Sequence, residues 1–220
     1  MNKLFLALCL TLISSVFSVA QTSGDYKKTE FFVGYSNQQI DTNLDSDSGN
    51  AAEDFFNDRL SFNGFEVSGV YNVSRYVGVK GDFSGAYRTK EFSFPTGSGA
   101  TANNVSLRTK NSLYNALGGV QFKDNASGSR VKPFAHVLAG VGHARSNISE
   151  VTCSNPAAAN CSTFTGSFSD TGLAGAFGGG LDIKLSDKID LRAVQVDYNP
   201  IRISGSTDHN VRFGIGLVFK

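Results

Sequence analysis

The residues whose types and spacing bear on chemistry are few in this 220-residue chain: three histidines, three cysteines and one acidic run. Asp208 and His209 lie beside Ser204 and Ser206, and a hydrolase needs such a set: a base, an orienting acid, and a nucleophile or activated water. Adjacent strand residues point to opposite faces, however, and serine is an ordinary turn residue. The segment therefore reads as non-catalytic, and the chain is expected to be no enzyme and to need no cofactor. His136 has inward parity in its strand and reads as a satisfied interior residue, while His143 falls near that strand's far end. Cys153 and Cys161, with seven residues between them in a Ser, Asn and Ala-rich segment, read as a local disulfide. Zinc is the sharper alternative, but two thiols without a nearby histidine or second pair make a poor site. Asp41, Asp45, Asp47, Glu53, Asp54 and Asp58 lack the glycine and closing glutamate of a calcium loop and read as a solvated surface segment. Gly118–Gly119 and Gly178–Gly180 lack the lysine and helix of a phosphate loop and read as points of curvature and close packing.

The elements that would position these residues begin after a leader. MNKLFLALCLTLISSVFSVA has one lysine, an apolar run from Leu4 to Ile13, and small residues Ser18 and Ala20 before Gln21. It reads as a cleaved secretory signal over residues 1–20, too short and too interrupted for a membrane helix. Removal leaves 200 residues and takes away Lys3, so 19 basic side chains face 19 acidic ones. That balance gives no electrostatic case for nucleic acid. With 24 Gly, 18 Phe, 7 Tyr and only 4 Pro, and with little helical patterning, the composition points to an all-β chain.

Eight segments alternate. In VRFGIGLVF, Phe213, Ile215, Leu217 and Phe219 share one face with Val211, while Arg212, Gly214 and Gly216 share the other. Phe31, Val33 and Tyr35 mark a first strand; Phe65, Val67 and Tyr71 a second; Val77, Val79, Phe83 and Tyr87 a third, with Ser74 and Arg75 as the turn between the last two. The fourth, Val105 to Phe122, has mixed phase that one bulge would reconcile, and the fifth, VKPFAHVLAGVGH, has no settled orientation. The sixth carries Leu173, Phe177 and Leu181 outward and Ala174, Ala176 and Asp182 inward, and the seventh changes phase between Ala193 and Val194. Connections one, three, five and seven are long and polar by this reading (Gln39–Arg59, Thr89–Asn104, the cysteine segment, Asn199–His209), and the even ones are shorter.

Sorting of connection length by parity, with large apolar residues on alternate positions, predicts an eight-stranded antiparallel up-and-down transmembrane β-barrel over residues 21–220, with long outer loops and short periplasmic turns. Eight strands enclose an interior just wide enough for side chains. The predicted inward set is Glu66, Lys80, Asp82, Asp182, Lys184, Arg192 and Arg212, which must neutralise itself with ion pairs and water in so narrow a space. Its role would be to fill and specify the barrel. A charged constriction selecting ions is the sharper alternative, and a soluble calycin-like barrel, with its large apolar residues inside, is the competing architecture.

With the strands placed, the chain resembles small outer-membrane barrels of the OmpA and OmpX type. The likeness rests on FGGGLDIKLSDKIDLRAVQVDYN, NVRFGIGLVF and YVGVKGDFSGAY. It implies a stand-alone barrel of the bacterial outer membrane, bathed in outer-membrane lipid, with no peptidoglycan-binding domain after it; a monomer is expected because an eight-stranded barrel needs no partner to close its sheet. The last strand resembles the aromatic-ended signal of the barrel assembly machinery, with Phe219 as the aromatic, although Lys220 follows it. A structural or surface-interaction role is implied, with a possible extracellular ligand at the long loops and a small porin as the alternative.

Overall fold

The computed structural model describes residues 26–41, 55, 58–96, 103–126, 128–154, 166–203 and 205–220. Eight strands make up almost all of this: β1 (Thr29–Asp41), β2 (Arg59–Asn72), β3 (Val77–Thr96), β4 (Asn103–Lys123), β5 (Val131–Cys153), β6 (Gly166–Lys184), β7 (Ile189–Ile203) and β8 (Ser206–Phe219). Each pairs antiparallel with its chain neighbours, and β8 closes on β1 from Phe31↔Phe219 to Gln39↔Val211. Closure leaves no strand edge unpaired, the condition a sheet must meet in lipid.

Alternation decides which side each residue takes. Val79, Phe83, Phe122, Val137, Phe177 and Ile215 stand on the outer wall with roughly two-fifths to half of their surface exposed, whereas Glu66, Lys80, Arg192 and Arg212 are buried inside. Phe213 and Phe219 are half-buried in the outer wall beside Ile215 and Leu217. This is the opposite of a calycin-like interior, and it is the polarity that lipid outside imposes.

At one end the β2–β3 and β6–β7 hairpins turn on a serine. Ser74 Oγ accepts from the backbone N–H groups of Tyr76 and Val77, and Ser186 Oγ accepts from those of Lys188 and Ile189. The matching sequences VSRYV and LSDKI thus build the same turn, four residues long where two residues, Ser74 and Arg75, are expected from sequence for the first.

At the other end the strands run on well past a membrane crossing. The connection expected over Asn199–His209 is strand instead: β7 and β8 pair up to Ile203↔Ser206, and Gly205, at φ 88°, occupies the left-handed conformation a tight hairpin requires. Much of the expected Thr89–Asn104 connection is also paired, up to Thr96↔Asn103. The fourth strand needs no phase change. Leu113 and Leu117 point inward with Asn115 and Gln121, so its odd apolar residues line the lumen and its register with β3 is unbroken. The bulge in this region lies on β5, where Ser149 is skipped between Glu150↔Arg108 and Ile148↔Thr109. In β5 itself Phe134, His136 and Leu138 are inward and Val137 and Val141 outward. The expected phase change in β7 is a bulge at Ala193, skipped against both β6 and β8. Opposite it the backbones approach so closely that a Cβ on Gly180 would lie 2.0 Å from the Val194 carbonyl oxygen.

Candidate functional site in the lumen

The strand parities converge on a lumen filled in three tiers. Nearest the serine turns, Lys123 of β4 reaches Glu30 of β1 (Nζ to Oε2 2.8 Å) and Asp182 of β6 (2.9 Å). Arg192 of β7 donates to Asp182 from Nε at 2.9 Å and from Nη2 at 3.2 Å. Its guanidinium is stacked between the rings of Phe32, at 4.5 Å, and Phe134, at 3.9 Å. The bulge at Ala193 makes both Arg192 and Gln195 inward, and Arg192 Nη1 donates to Gln195 Oε1 at 2.9 Å. Without the bulge one of the two would face lipid.

The middle tier centres on Arg212 of β8. It donates to Asp82 of β3 at 2.8 Å and to Asp197 of β7 at 2.7 Å, and its Nε lies 3.6 Å from Glu66 of β2. Lys80 lies 3.5 Å from Asp82 and 3.9 Å from Glu66. Gln195 donates to Glu66 and to Asp197, at 2.9 and 2.7 Å. His136 bridges Lys80 Nζ, 3.4 Å from Nδ1, to Asp197 Oδ1, 2.9 Å from Nε2. Asn115, Asn199 and Gln38 continue the tier with amide contacts across β4, β7 and β1. In the outer tier polar groups give way to Leu113, Leu117, Leu138, Ala174, Ala176 and Ile201, a buried apolar cluster.

Five carboxylates (Glu30, Glu66, Asp82, Asp182, Asp197) and four cations (Lys80, Lys123, Arg192, Arg212) thus meet in the inner and middle tiers, with Asp190, Lys132 and Lys220 buried beside them at the turn end of the lumen. Each ion is expensive to bury alone, and only the cross-lumen pairs offset that cost. Most of the ties join strands that are not neighbours in the sheet, so they brace the barrel from wall to wall.

Of the charges expected inside, Glu66, Lys80, Asp82 and Arg212 meet in the middle tier, and Asp182 and Arg192 meet in the inner one. Lys184 does not join them. It has inward parity but is the last residue of β6, and its Nζ bonds Asp187 in the adjoining turn at 2.6 Å, with its side chain 38% exposed. The contact holds the Asp187 carboxyl below its ordinary value, through the hydrogen bond from the Lys184 ammonium and its charge. A long flexible side chain at a strand end reaches water at little cost, and the adjacent rim already holds Lys220 on Asp190 at 2.5 Å.

Glu30, Lys123 and Asp197 belong to the network although sequence reasoning did not single them out. Their parity was the available signal: Asp197 follows Gln195 past the phase change, Lys123 shares the odd phase of β4, and Glu30 precedes the outward Phe31. The other chemistry-bearing residues do not converge. His209 stacks on Tyr198 of the outer wall and bonds its hydroxyl at 2.5 Å, while Asp208 lines the outer mouth of the lumen and Ser204 lies outside the described residues. His143 Nδ1 meets Thr171 Oγ1 at 2.7 Å. Cys161 and the acids Asp45, Asp47, Glu53 and Asp54 also lie outside the described residues.

A closed eight-strand barrel, apolar on its wall and ionic within, is a membrane-spanning barrel of the outer-membrane class. The chain belongs to the outer membrane protein beta-barrel domain family, which it matches over residues 5–220. Among solved structures it is similar to Ail, the attachment invasion locus protein of Yersinia pestis, in complex with the heparin analogue sucrose octasulfate. Identity is 17%, the match covers 87% of this chain and 98% of that one, and the TM-score is 0.50. It is also similar to neisserial surface protein A, at 9% identity, covering 91% of this chain and 99% of that one, with a TM-score of 0.51. No curated protein matches it. The family places the chain in the bacterial outer membrane, and the structural likeness carries the barrel fold.

Proposed function

We propose that this barrel is a structural, surface-interacting outer-membrane protein whose lumen is filled rather than open to solute. The observation that supports this reading is Arg212, fully buried in the lumen and joined both to Asp197 on neighbouring β7 and, across the interior, to Asp82 on β3. Beyond it the apolar tier from Leu113 to Ile201 gives a permeating ion nothing to bind. Glu66, Lys80, Asp82, Asp182, Arg192 and Arg212 then serve to specify the barrel, and function lies at the ends that face solvent.

The same reading assigns residues 1–20 to a cleaved export signal and residues 21–220 to the barrel, monomeric in outer-membrane lipid. The β8 face of Phe213, Ile215, Leu217 and Phe219 is the element offered to the assembly machinery. Cys153 and Cys161 would staple the outer connection of β5 to β6. Contact with an extracellular ligand falls to the end where β3 to β6 project. The likeness to Ail, a barrel solved with a sulfated saccharide, supports that assignment.

The test is single-channel recording in a planar bilayer, after heat-dependent gel mobility has shown that the mature chain has folded. A barrel that inserts and stays silent is expected. Steady openings of defined size would overturn the filled-lumen reading in favour of a small porin.

A further inference from the structure

On the outer wall, β3, β4 and β5 frame a recess of about 290 Å³ whose lining includes Tyr87, Thr89, Lys110, Ser112, Tyr114 and Arg145. Its position along the barrel follows from the pairing. Outward residues of β5 are apolar from Val131 to Val141, the length of one tilted crossing. Tyr87 and Tyr114 then pack edge to face, ring centroids 5.7 Å apart, in the manner of an interfacial aromatic belt. Arg145 sits opposite Ser112, itself opposite Tyr87, and Lys110 is paired with Thr89 two positions further out. The two cations are therefore diagonal neighbours on adjacent strands, about 7–8 Å apart at the backbone, at the level where lipid headgroups begin.

Three basic residues of the exterior are already paired with carboxylates. Arg75 is held by Asp124 at 2.9 Å, Arg108 by Glu91 at 3.2 Å and Lys184 by Asp187 at 2.6 Å. Lys110 and Arg145 have no carboxylate within ion-pair distance among the described residues, although both are exposed. A guanidinium fork and an ammonium, with the Thr89 and Ser112 hydroxyls beside them, are the donors that a tetrahedral oxyanion takes. The tyrosine rings below offer apolar surface to the chains of the same molecule.

We propose that Lys110 and Arg145 form a clamp for a phosphate on the headgroup of an outer-leaflet lipid, fixing the height of the barrel in the membrane. The inference rests on the reading of this end as extracellular. A sulfated or phosphorylated solute would present the same chemistry from water, but the tyrosine floor and the adjoining apolar band favour the lipid.

The test is native mass spectrometry of the refolded mature protein, released from detergent after incubation with bisphosphorylated lipid A, with lipid A stripped of both phosphates, or with sucrose octasulfate. The wild type should retain the phosphorylated lipid in preference to the stripped one. The double variant K110Q/R145Q should lose about thirtyfold in that retention, about one kcal/mol per cation at a membrane surface being the guide. R75Q, whose partner lies at the opposite end, should retain it as the wild type does. Gel mobility establishes that each variant has folded, and all three substitutions are at exposed positions. Equal retention of stripped and phosphorylated lipid, or an unchanged double variant, would overturn the clamp. So would binding of sucrose octasulfate alone, which would assign the two cations to a soluble anion. A silent or conducting channel in the bilayer experiment does not bear on any of these outcomes.

Discussion

The lumen can be compared with itself across Asn199. On one side Arg212, Lys80 and Arg192 are tied to Glu66, Asp82, Asp182 and Asp197, and on the other Leu113, Leu138 and Ile201 pack without a charge between them. Both halves are buried, yet the first is held by directional contacts between named partners and the second by shape and volume. Apolar tiers tolerate many sequences of similar volume. An ionic tier tolerates few, because every group left without its partner retains its desolvation cost. One wall therefore carries a half that specifies a unique register and a half that chiefly fills space.

The comparison breaks most visibly at Arg212. Arg212→Gln would leave Glu66, Asp82 and Asp197 facing Lys80 alone, and should cost about 3–5 kcal/mol in urea unfolding followed by gel mobility. A loss below about 1 kcal/mol would mean that water already screens this tier. Leu138→Ala probes the apolar half by opening a void where nothing charged is exposed, and about 3 kcal/mol is expected in the same assay. Here Leu138→Met should recover most of the loss, whereas Arg212→Lys should recover little, since one ammonium cannot replace a fork that reaches two carboxylates.

A smaller effect tests the bulge on which the ionic half depends. Gly180→Ala would push a methyl against the Val194 carbonyl oxygen, so β6 and β7 must part, and about 1–3 kcal/mol is expected together with slower refolding into vesicles. Glu66→Gln should change stability least, by about 1 kcal/mol or less. In the middle tier three carboxylates (Glu66, Asp82, Asp197) face two cations (Lys80, Arg212), so removing one charge evens the count there, and the amide oxygen can still accept from Gln195. If Glu66→Gln proved as damaging as Arg212→Gln, the excess negative charge inferred from the pairing would be wrong.

Several of these features can be read directly in the sequence. β2, β3 and β8 alternate so cleanly that Phe65, Val79 and Ile215 declare the wall, and the step from Ala193 to Val194 marks the bulge. β4 misleads because Val105 and Leu107 look like wall residues, whereas the long strand carries them inward at the apolar end. Asn199–His209 misleads in another way: its Pro, Ser and Asp suggest a loop, but a single left-handed Gly205 is enough to make the turn, and the flanking residues pair as strand. Asp197 escaped notice because its partner His136 lies two strands away on β5, and because its pairing with Arg212 is set by the β7–β8 register, which neither strand shows alone.

By itself, the sequence determined that this chain is a membrane barrel, which face of most strands meets lipid, and that charges of both signs must lie within. Period-two alternation is a local property, set by the pleat, and it survives in the order of residues. Only the tertiary structure decided which charges meet, that Lys184 reaches the rim instead of the lumen, that the outer half of the interior is apolar, and that Lys110 and Arg145 stand side by side. Those outcomes depend on closure and on register between strands, and register is a property of pairs of strands that no single strand encodes.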